Sequence, residues 1–168
     1  TNEVIPRSIP GIHGKNVYRA RDILEYKCRE TDKNIVIIGG GMTGMETAHY
    51  LSLKGNKVTI VDMLPKPKLE IADNLSLQDA IADGVEMLYE HKLVEICDDC
   101  VKVEDMMKNK EKDIKADIVI LSMGIYPNTA LKDEIEGEFE KVTLIGDCDK
   151  LGKIPHNIRS GAEAAYHL

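Results

Sequence analysis

The stretch NIVIIGGGMTGMETAHYLSLKGNKVTIVD, residues 34–62, decides the fold. It opens with Asn34–Gly39, a short apolar run rich in β-branched residues, which is typical of a parallel strand buried on both faces. Residues 42–54 are mostly helix formers with an apolar face, and a Gly-Asn pair ends that helix. Lys57–Asp62 repeats the buried-strand pattern. The stretch therefore predicts a βαβ unit with two parallel strands.

The turn between the first strand and the helix has the spacing G-x-G-x-x-G. Gly39 permits the tight turn, Gly41 lets the backbone approach a pyrophosphate, and Gly44 lets the helix pack closely on the strands. The pyrophosphate then lies over free N–H groups at the helix N-terminus, where the dipole favours negative charge. The predicted dinucleotide contacts in this turn are Gly39, Gly40, Gly41, Met42, Thr43 and Gly44.

An acidic residue ends the second strand, where it can select between dinucleotides. The carboxylate of Asp62 can accept from the ribose 2′-OH and 3′-OH, and it would repel a 2′-phosphate. NADH is therefore favoured over NADPH, although Lys66 and Lys68 would weaken that preference. Two alternatives remain: a glycine turn that binds nothing, and one that binds S-adenosylmethionine.

Outside this unit the periodicity predicts further strands and helices. A strand and a helical turn are expected in Asn16–Lys27, a helix in Asn74–Ala82 and a third strand in Val85–Glu90. A meander follows, with a solvated hairpin turn expected at Lys108–Lys115; its three predicted strands are Lys92–Cys97, Val101–Met107 and Ile114–Leu121. The last predicted elements are the strand Val142–Gly146 and the helix Ile158–His167.

The predicted fold class is α/β. It is a Rossmann-like three-layer domain with a central parallel sheet, helices on both sides and a three-stranded β-meander as crossover. A chain of 168 residues is long enough for one such domain and its core.

Charge and composition exclude several classes of protein. A net charge of -7 argues against nucleic-acid binding, which needs a basic face. The chain has no apolar run of about 18 residues, so we expect no membrane span. Four cysteines without an export signal favour a reducing, cytoplasmic setting. Residues 1–14 hold two prolines and do not begin with Met, so we expect a piece of a longer chain.

With these motifs in view, the sequence resembles the NAD(P)H-binding domain of FAD-dependent pyridine nucleotide-disulfide oxidoreductases. Within that superfamily it looks most like 2-enoate and 2,4-dienoyl-CoA reductases, which are multidomain relatives of old yellow enzyme. The stretches that carry the resemblance are IPGIHGKNVYRARDIL (9–24), NIVIIGGGMTGMETAHYLSLKGNKVTIVDML (34–64), ADIVILSMGIYPNTAL (116–131), VTLIGDC (142–148) and IRSGAEAA (158–165).

The resemblance implies further site residues. Glu46 matches an acidic residue near the nicotinamide and the flavin, although a carboxylate there could merely favour the helix N-terminus. The loop 122–128 resembles one that lies along the nicotinamide, and the segment 145–148 one that returns to the FAD domain, with Asp147 directed at the ribityl and phosphate region. Their alternatives are an ordinary Gly/Pro turn and a strand that ends in a helix cap. The implied contacts outside the glycine turn are Glu46, Asp62, Met63, Gly124, Ile125, Pro127, Gly146 and Asp147.

One feature of these enzymes is missing: an earlier glycine-rich unit that holds the adenosine of FAD. We therefore expect residues 1–30 and 142–168 to be flanks of an FAD domain, and 31–141 to be the NADH-binding domain. The expected function is NADH:flavin oxidoreduction in a larger polypeptide, with hydride transfer between the two cofactors, no catalytic residue in this chain and little activity of the piece alone. The resemblance places an FMN barrel, an iron–sulfur cluster and the small-molecule substrate in regions outside the chain.

Other classes stay open on the sequence alone. An NADH oxidase, a rubredoxin reductase-like protein or a disulfide reductase shares most of these motifs. A separate, non-catalytic NADH-binding module would bind NADH without a flavin. A methyltransferase would bind S-adenosylmethionine, although the Pro-Asn loop and the IGDC segment argue against it.

The cysteine pair and the methionines near the turn predict little chemistry. Cys97 and Cys100 form a C-x-x-C, but the two aspartates between them would raise the thiol pKa, so we expect no redox role. A zinc site lacks a second ligand pair, and the five histidines show no metal spacing. Met42 and Met45 are expected to be packing residues, with Met42 also able to cover the pyrophosphate.

Overall fold

The computed structural model describes residues 1–27, 30–66, 78–80 and 82–167. By its internal contacts the chain divides into two units: a core unit, Ile5–Met123, and a flank unit, formed by Thr1–Val4 and Gly124–Leu168. The strands are β1 (Asn2–Glu3), β2 (Val17–Arg19), β3 (Asn34–Ile38), β4 (Lys57–Val61), β5 (Glu86–Leu88), β6 (His91–Ile96), β7 (Cys100–Asp105), β8 (Lys110–Lys115), β9 (Ile118–Leu121) and β10 (Ile125–Tyr126). The helices are α1 (Ala20–Leu24), α2 (Met42–Ser52), α3 (Ala130–Ile135) and α4 (Ile154–Tyr166).

A five-stranded parallel sheet forms the centre of the core unit. Its strand order is β2-β9-β3-β4-β5, and Ile37 of β3 lies opposite Ile60 of β4 and Ile120 of β9. The last four residues of β3 and of β4 and all of β9 are buried, as expected of strands in a parallel sheet that is covered on both faces. The predicted βαβ unit and parallel sheet are confirmed.

The two faces of the sheet are covered by different structures. Helices α1 and α2 pack on one face, in a core that includes Ile23, Met45 and Leu51. The other face is covered by the antiparallel sheet β6-β7-β8, whose buried side chains include Val101 and Val103. The three layers are thus helices, parallel sheet and meander. The prediction of helices on both sides was wrong for the described residues, because the apolar face of the meander occupies the second side.

The meander also differs from its predicted bounds. The predicted strand Ile114–Leu121 is two strands, β8 and β9, which belong to different sheets. Asp117 lies between the two strands. Its carboxylate accepts from the backbone N–H of Asn34 at 2.7 Å and from Nδ2 of Asn34 at 2.8 Å. The predicted hairpin turn at Lys108–Lys115 was also wrong. Residues 110–115 form an edge strand whose charges remain in solvent, as edge strands favour.

Two further predictions fail near the C-terminus. Val142–Gly146 is not a strand: residues 142–145 have no regular structure, and Gly146–Cys148 is a short 3-10 turn. An apolar run becomes a strand only beside a partner, and the structure pairs none of its described strands with this run. The final helix begins at Ile154 rather than Ile158, with a proline in its first turn. Of the predicted helix Asn74–Ala82, residues 78–80 and 82 are helical and the others lie outside the described part.

The flank unit has almost no core of its own. None of its described residues is buried, although α4 carries a strong apolar stripe. Its large exposed apolar side chains include Leu131, Phe139, Ile154, Ile158 and Tyr166. Apolar surface of this kind is usually covered by another part of a protein. The predicted boundaries at residues 30 and 141 concern which domain of a longer protein each segment joins, and they stay predictions.

No helix among the described residues is long and apolar enough to cross a membrane.

Candidate functional site

The glycine turn lies at the carboxyl end of β3, where sheets of this kind bind ligands. Gly39 has φ +109°, and a Cβ there would lie 2.0 Å from the carbonyl oxygen of Ser122. Its N–H donates to the carbonyl of Val61 at 2.8 Å. Only glycine can adopt this left-handed backbone conformation and also leave room for the carbonyl of Ser122, which follows β9.

Gly44 has an equally strict requirement of a different kind. It lies buried in the first turn of α2, and a Cβ there would lie 2.0 Å from the carbonyl oxygen of Gly39. The missing side chain lets the helix start directly against the end of the strand. The close packing of α2 on β3 therefore requires glycine at position 44, as predicted.

Gly41 differs from both of these glycines. Its φ of −71° and ψ of 178° are open to any residue, and a Cβ there would meet nothing within 4 Å. Neither backbone strain nor packing within the described protein explains a glycine at this position. The open space lies at the start of α2, and it leaves room for another atom to approach the backbone closely.

The start of α2 presents backbone N–H donors that no side chain of the described residues caps. Gly41 is the N-cap, and no side chain caps the helix. The first intrahelical bond runs from the N–H of Met45 to the carbonyl of Gly41 at 3.0 Å, so the N–H groups before Met45 have no acceptor within the helix. No acidic residue lies in this turn, and Thr43 is exposed. The arrangement suits an anion.

Asp62 follows β4 and is held firmly beside the turn. Its Oδ2 accepts from the N–H of the buried Gly40 at 2.6 Å, and its Oδ1 accepts from the N–H of Leu64 at 2.8 Å. Each carboxylate oxygen can accept more than one hydrogen bond. The side chain is therefore oriented by the backbone and retains acceptor capacity for a diol.

The remaining predicted residues of the core unit lie around this turn with their side chains in solvent. Met63 is 53% exposed beside Asp62, and Met42 is 49% exposed at the start of α2. Met45 is buried, as expected of a packing residue, whereas the exposure of Met42 contradicts a packing role. Glu46 is exposed in the second turn of α2, so a favourable interaction confined to the first turn does not account for it.

The predicted nicotinamide loop begins the flank unit. Gly124 has φ +97° with open space at its Cβ position, and its carbonyl accepts from the N–H of Val4 at 2.9 Å. Ile125 lies in β10, which pairs with β1, and it is 45% exposed. Pro127 is half-buried. The loop is therefore an ordered turn whose apolar side chain at Ile125 remains uncovered.

Gly146 and Asp147 form a second small network in the flank unit. The N–H of Gly146 donates to Oγ of Ser160 at 2.8 Å. Oδ1 of Asp147 accepts from Nδ2 of Asn157 at 2.9 Å and from the N–H of Gly152 at 3.1 Å. The hydrogen bond from Asn157, with that from Gly152, lowers the pKa of Asp147. The carboxylate is thus held ionised.

Two residues in this network were missed by the sequence analysis. Asn157 and Ser160 lie one helical turn apart on α4 and reach back to the 3-10 turn. The i, i+3 spacing of these two polar residues was the available signal.

A sequence profile of the pyridine nucleotide-disulphide oxidoreductases matches residues 3–156, which is most of the chain. The chain belongs to that family.

Individual relatives of this pyridine nucleotide-disulphide oxidoreductase chain carry varied names. It is 33% identical to an NADH oxidase of Thermoanaerobacter brockii, over 98% of the chain and 26% of that protein. It is 28% identical to a cinnamate reductase of Clostridium sporogenes, over 97% of the chain and 25% of that protein. A solved structure of 2-naphthoyl-CoA reductase with 2-naphthoyl-CoA matches all of the chain and 26% of its own, at 26% identity and TM-score 0.85. The chain spans about a quarter of the length of these relatives.

The family name raises the question of a disulfide, and within the C-x-x-C pair of this chain Cys100 is unsuited to attack one. Cys97 and Cys100 are free, half-buried thiols at the turn between β6 and β7. A hydrogen bond with Cys97, with burial and the charges of Asp113 and Asp99, raises the pKa of Cys100 to about 11. An effective attacking thiol needs a much lower pKa. No group of metal-ligating residues occurs in the described ranges either.

The raised pKa predicts a pH-dependent reactivity. At about pH 8 roughly one Cys100 thiol in a thousand is ionised, so alkylation by iodoacetamide should be slow and should accelerate about tenfold per pH unit up to about pH 10. Labelling time courses at about pH 8 and about pH 10, followed by peptide mass spectrometry, measure the alkylation rate of Cys100 at each pH. Cys97→Ala removes the largest cause of the shift and should label faster. A Cys100 rate that is already maximal at about pH 8 would contradict the assignment.

Proposed function

We propose that the core unit binds NADH at the glycine turn, and that the chain is the NADH-binding part of a larger flavin-dependent oxidoreductase. Gly41 carries this proposal. It is a glycine without backbone strain and without a neighbour, at a helix start whose N–H groups are uncapped. A pyrophosphate over these groups accounts for the residue, since it would occupy the space of a Cβ.

Asp62 supports the choice of NADH over NADPH. Its carboxylate is oriented by two backbone N–H groups and lies at the end of the strand next to β3. A 2′-phosphate placed beside it would add like charge, whereas a ribose diol would donate to it. The proposal therefore assigns pyrophosphate to the turn and the adenosine ribose to Asp62.

The flank unit supports a flavin-binding partner domain in the same polypeptide. None of its described residues is buried, which favours cover by further chain, and the relatives are about four times longer. The family resemblance supports an FAD domain as that cover, toward which Gly146 and the ionised Asp147 would present acceptors and backbone groups. FAD would supply the electron-accepting ring. This chain would bind and orient the reduced nicotinamide.

The substrate class is proposed from the relatives. Cinnamate is itself a 2-enoate, and cinnamate reductase and 2-naphthoyl-CoA reductase both match the chain along nearly its whole length. They support an enoate or dienoyl-CoA reductase type, with an FMN barrel and an iron–sulfur cluster outside this chain. The NADH oxidase at 33% identity favours a second candidate, an oxidase that delivers electrons to oxygen. NADH consumption by the full polypeptide, with cinnamate under anaerobic conditions and with air alone, separates the two.

Calorimetric titration of the purified chain tests the core of the proposal. NADH should bind at least about tenfold more tightly than NADPH, which corresponds to about 1.4 kcal/mol, and S-adenosylmethionine should not bind. Gly41→Ala should weaken NADH binding, because its methyl group occupies the pyrophosphate space. S-adenosylmethionine binding in preference to NADH would overturn the reductase assignment and favour a methyltransferase.

A further inference from the structure

Tyr89 lies at the same edge of the parallel sheet as the glycine turn and Asp62. It directly follows β5, the strand next to β4. The backbone around it is tied to Asp62, which donates its N–H to the carbonyl of Leu88 at 2.9 Å and accepts at its own carbonyl from the N–H of His91 at 3.0 Å. Nδ1 of His91 also lies 2.6 Å from the carbonyl oxygen of Tyr89, to which it donates. The position of Tyr89 relative to Asp62 is therefore well fixed.

The hydroxyl of Tyr89 is buried and has no hydrogen-bond partner among the described residues. Burial, and after it the negative charge of Asp62, raises the pKa of this phenol. The hydroxyl consequently keeps its proton and is a donor without an acceptor. Such groups are rare in folded proteins because they lose their hydrogen bonds to water without replacement. A ligand that brings an acceptor would remove this loss.

The order of the strands indicates which part of a dinucleotide would reach this hydroxyl. The glycine turn follows β3, Asp62 follows β4 and Tyr89 follows β5, and these strands are neighbours in that order. Under the proposed function, pyrophosphate lies at the first position and the adenosine ribose at the second. The next group outward along the nucleotide is the adenine base, whose ring nitrogens are acceptors.

We propose that Tyr89 is a binding residue for the adenine end of the dinucleotide, through a hydrogen bond from its hydroxyl to the base. The inference rests on the proposed function of the glycine turn and extends it by one contact. It assigns part of the affinity to the adenine base, separately from the pyrophosphate and ribose contacts.

Titration of Tyr89→Phe with two partial ligands tests the assignment. ADP-ribose contains the adenosine half, and reduced nicotinamide mononucleotide lacks it. The loss of one ligand hydrogen bond should weaken ADP-ribose and NADH about three- to tenfold and leave the mononucleotide unchanged. The ligand-free variant should be as stable to urea as the parent or more stable, because an unpaired buried hydroxyl is removed. Tyr166→Phe, at the exposed end of α4, is the matched control and should change neither measurement.

The outcomes distinguish this inference from the proposed function. Unchanged ADP-ribose affinity in Tyr89→Phe, with binding by the parent chain, overturns the role of Tyr89 and leaves the NADH site standing. Equal weakening of ADP-ribose and of the mononucleotide, with lower stability, shows a general packing effect and also overturns it. Absence of ADP-ribose and NADH binding by the parent chain overturns both.

Discussion

Gly44→Ala is expected to destabilise the chain by about 3 kcal/mol, although alanine is the better helix former by about 1 kcal/mol. The free energy of unfolding should fall, because the new Cβ would lie 2.0 Å from the carbonyl oxygen of Gly39. That oxygen is a backbone atom, so the clash is relieved only if the helix moves away from the strand. Urea unfolding followed by circular dichroism measures the free energy of unfolding. Interior glycine-to-alanine changes in helices usually stabilise, so the opposite sign isolates the steric contact.

Gly41→Ala is the matched control for that experiment. Its Cβ meets nothing within 4 Å and its backbone angles suit alanine, so unfolding should change by no more than about 0.5 kcal/mol. The two substitutions thus separate packing from binding. A Gly41→Ala variant that loses stability as Gly44→Ala does would contradict the assignment of this position to a ligand.

Asp62→Ala is expected to erase the preference for NADH over NADPH. The parent chain should discriminate because a fixed carboxylate opposes the 2′-phosphate and accepts from the ribose diol. Without it, the ratio of the two dissociation constants should fall from at least about tenfold to near one. The ratio in the parent should also shrink at high salt, since screening reduces charge repulsion.

Asp62→Asn separates charge from shape in the same measurement. The amide oxygen can still accept from the N–H of Gly40 or Leu64, so the turn should keep its form while the charge is lost. We expect an intermediate ratio, with NADPH binding improved and NADH binding partly retained. An Asp62→Ala variant that keeps the full NADH preference would show that another group selects the dinucleotide, and would remove the specificity role from Asp62.

The sequence determined the elements whose physics is local. The apolar runs of β3 and β4, the helix between them and the glycine spacing are consecutive in the chain, so the βαβ unit was predictable within one or two residues. Even so, the ligand role of its residues stays a proposal. The exception within this unit was Met42, whose exposure depends on what surrounds the helix start rather than on the residue type.

Only the tertiary structure decided the non-local features. The pattern of residues 114–121 cannot reveal that β9 leaves the meander and inserts between β2 and β3, because that depends on pairing with strands far away in sequence. The charged run 110–115 becomes a strand because β7 pairs with it. The apolar run 142–145 does not form a strand, because no described strand pairs with it. The sequence also could not show that the hydroxyl of Tyr89 lacks a partner among the described residues, since that depends on every residue packed around it. Local propensity sets what a segment can form, and hydrogen-bond partners and burial, which are supplied by distant residues, select among those forms.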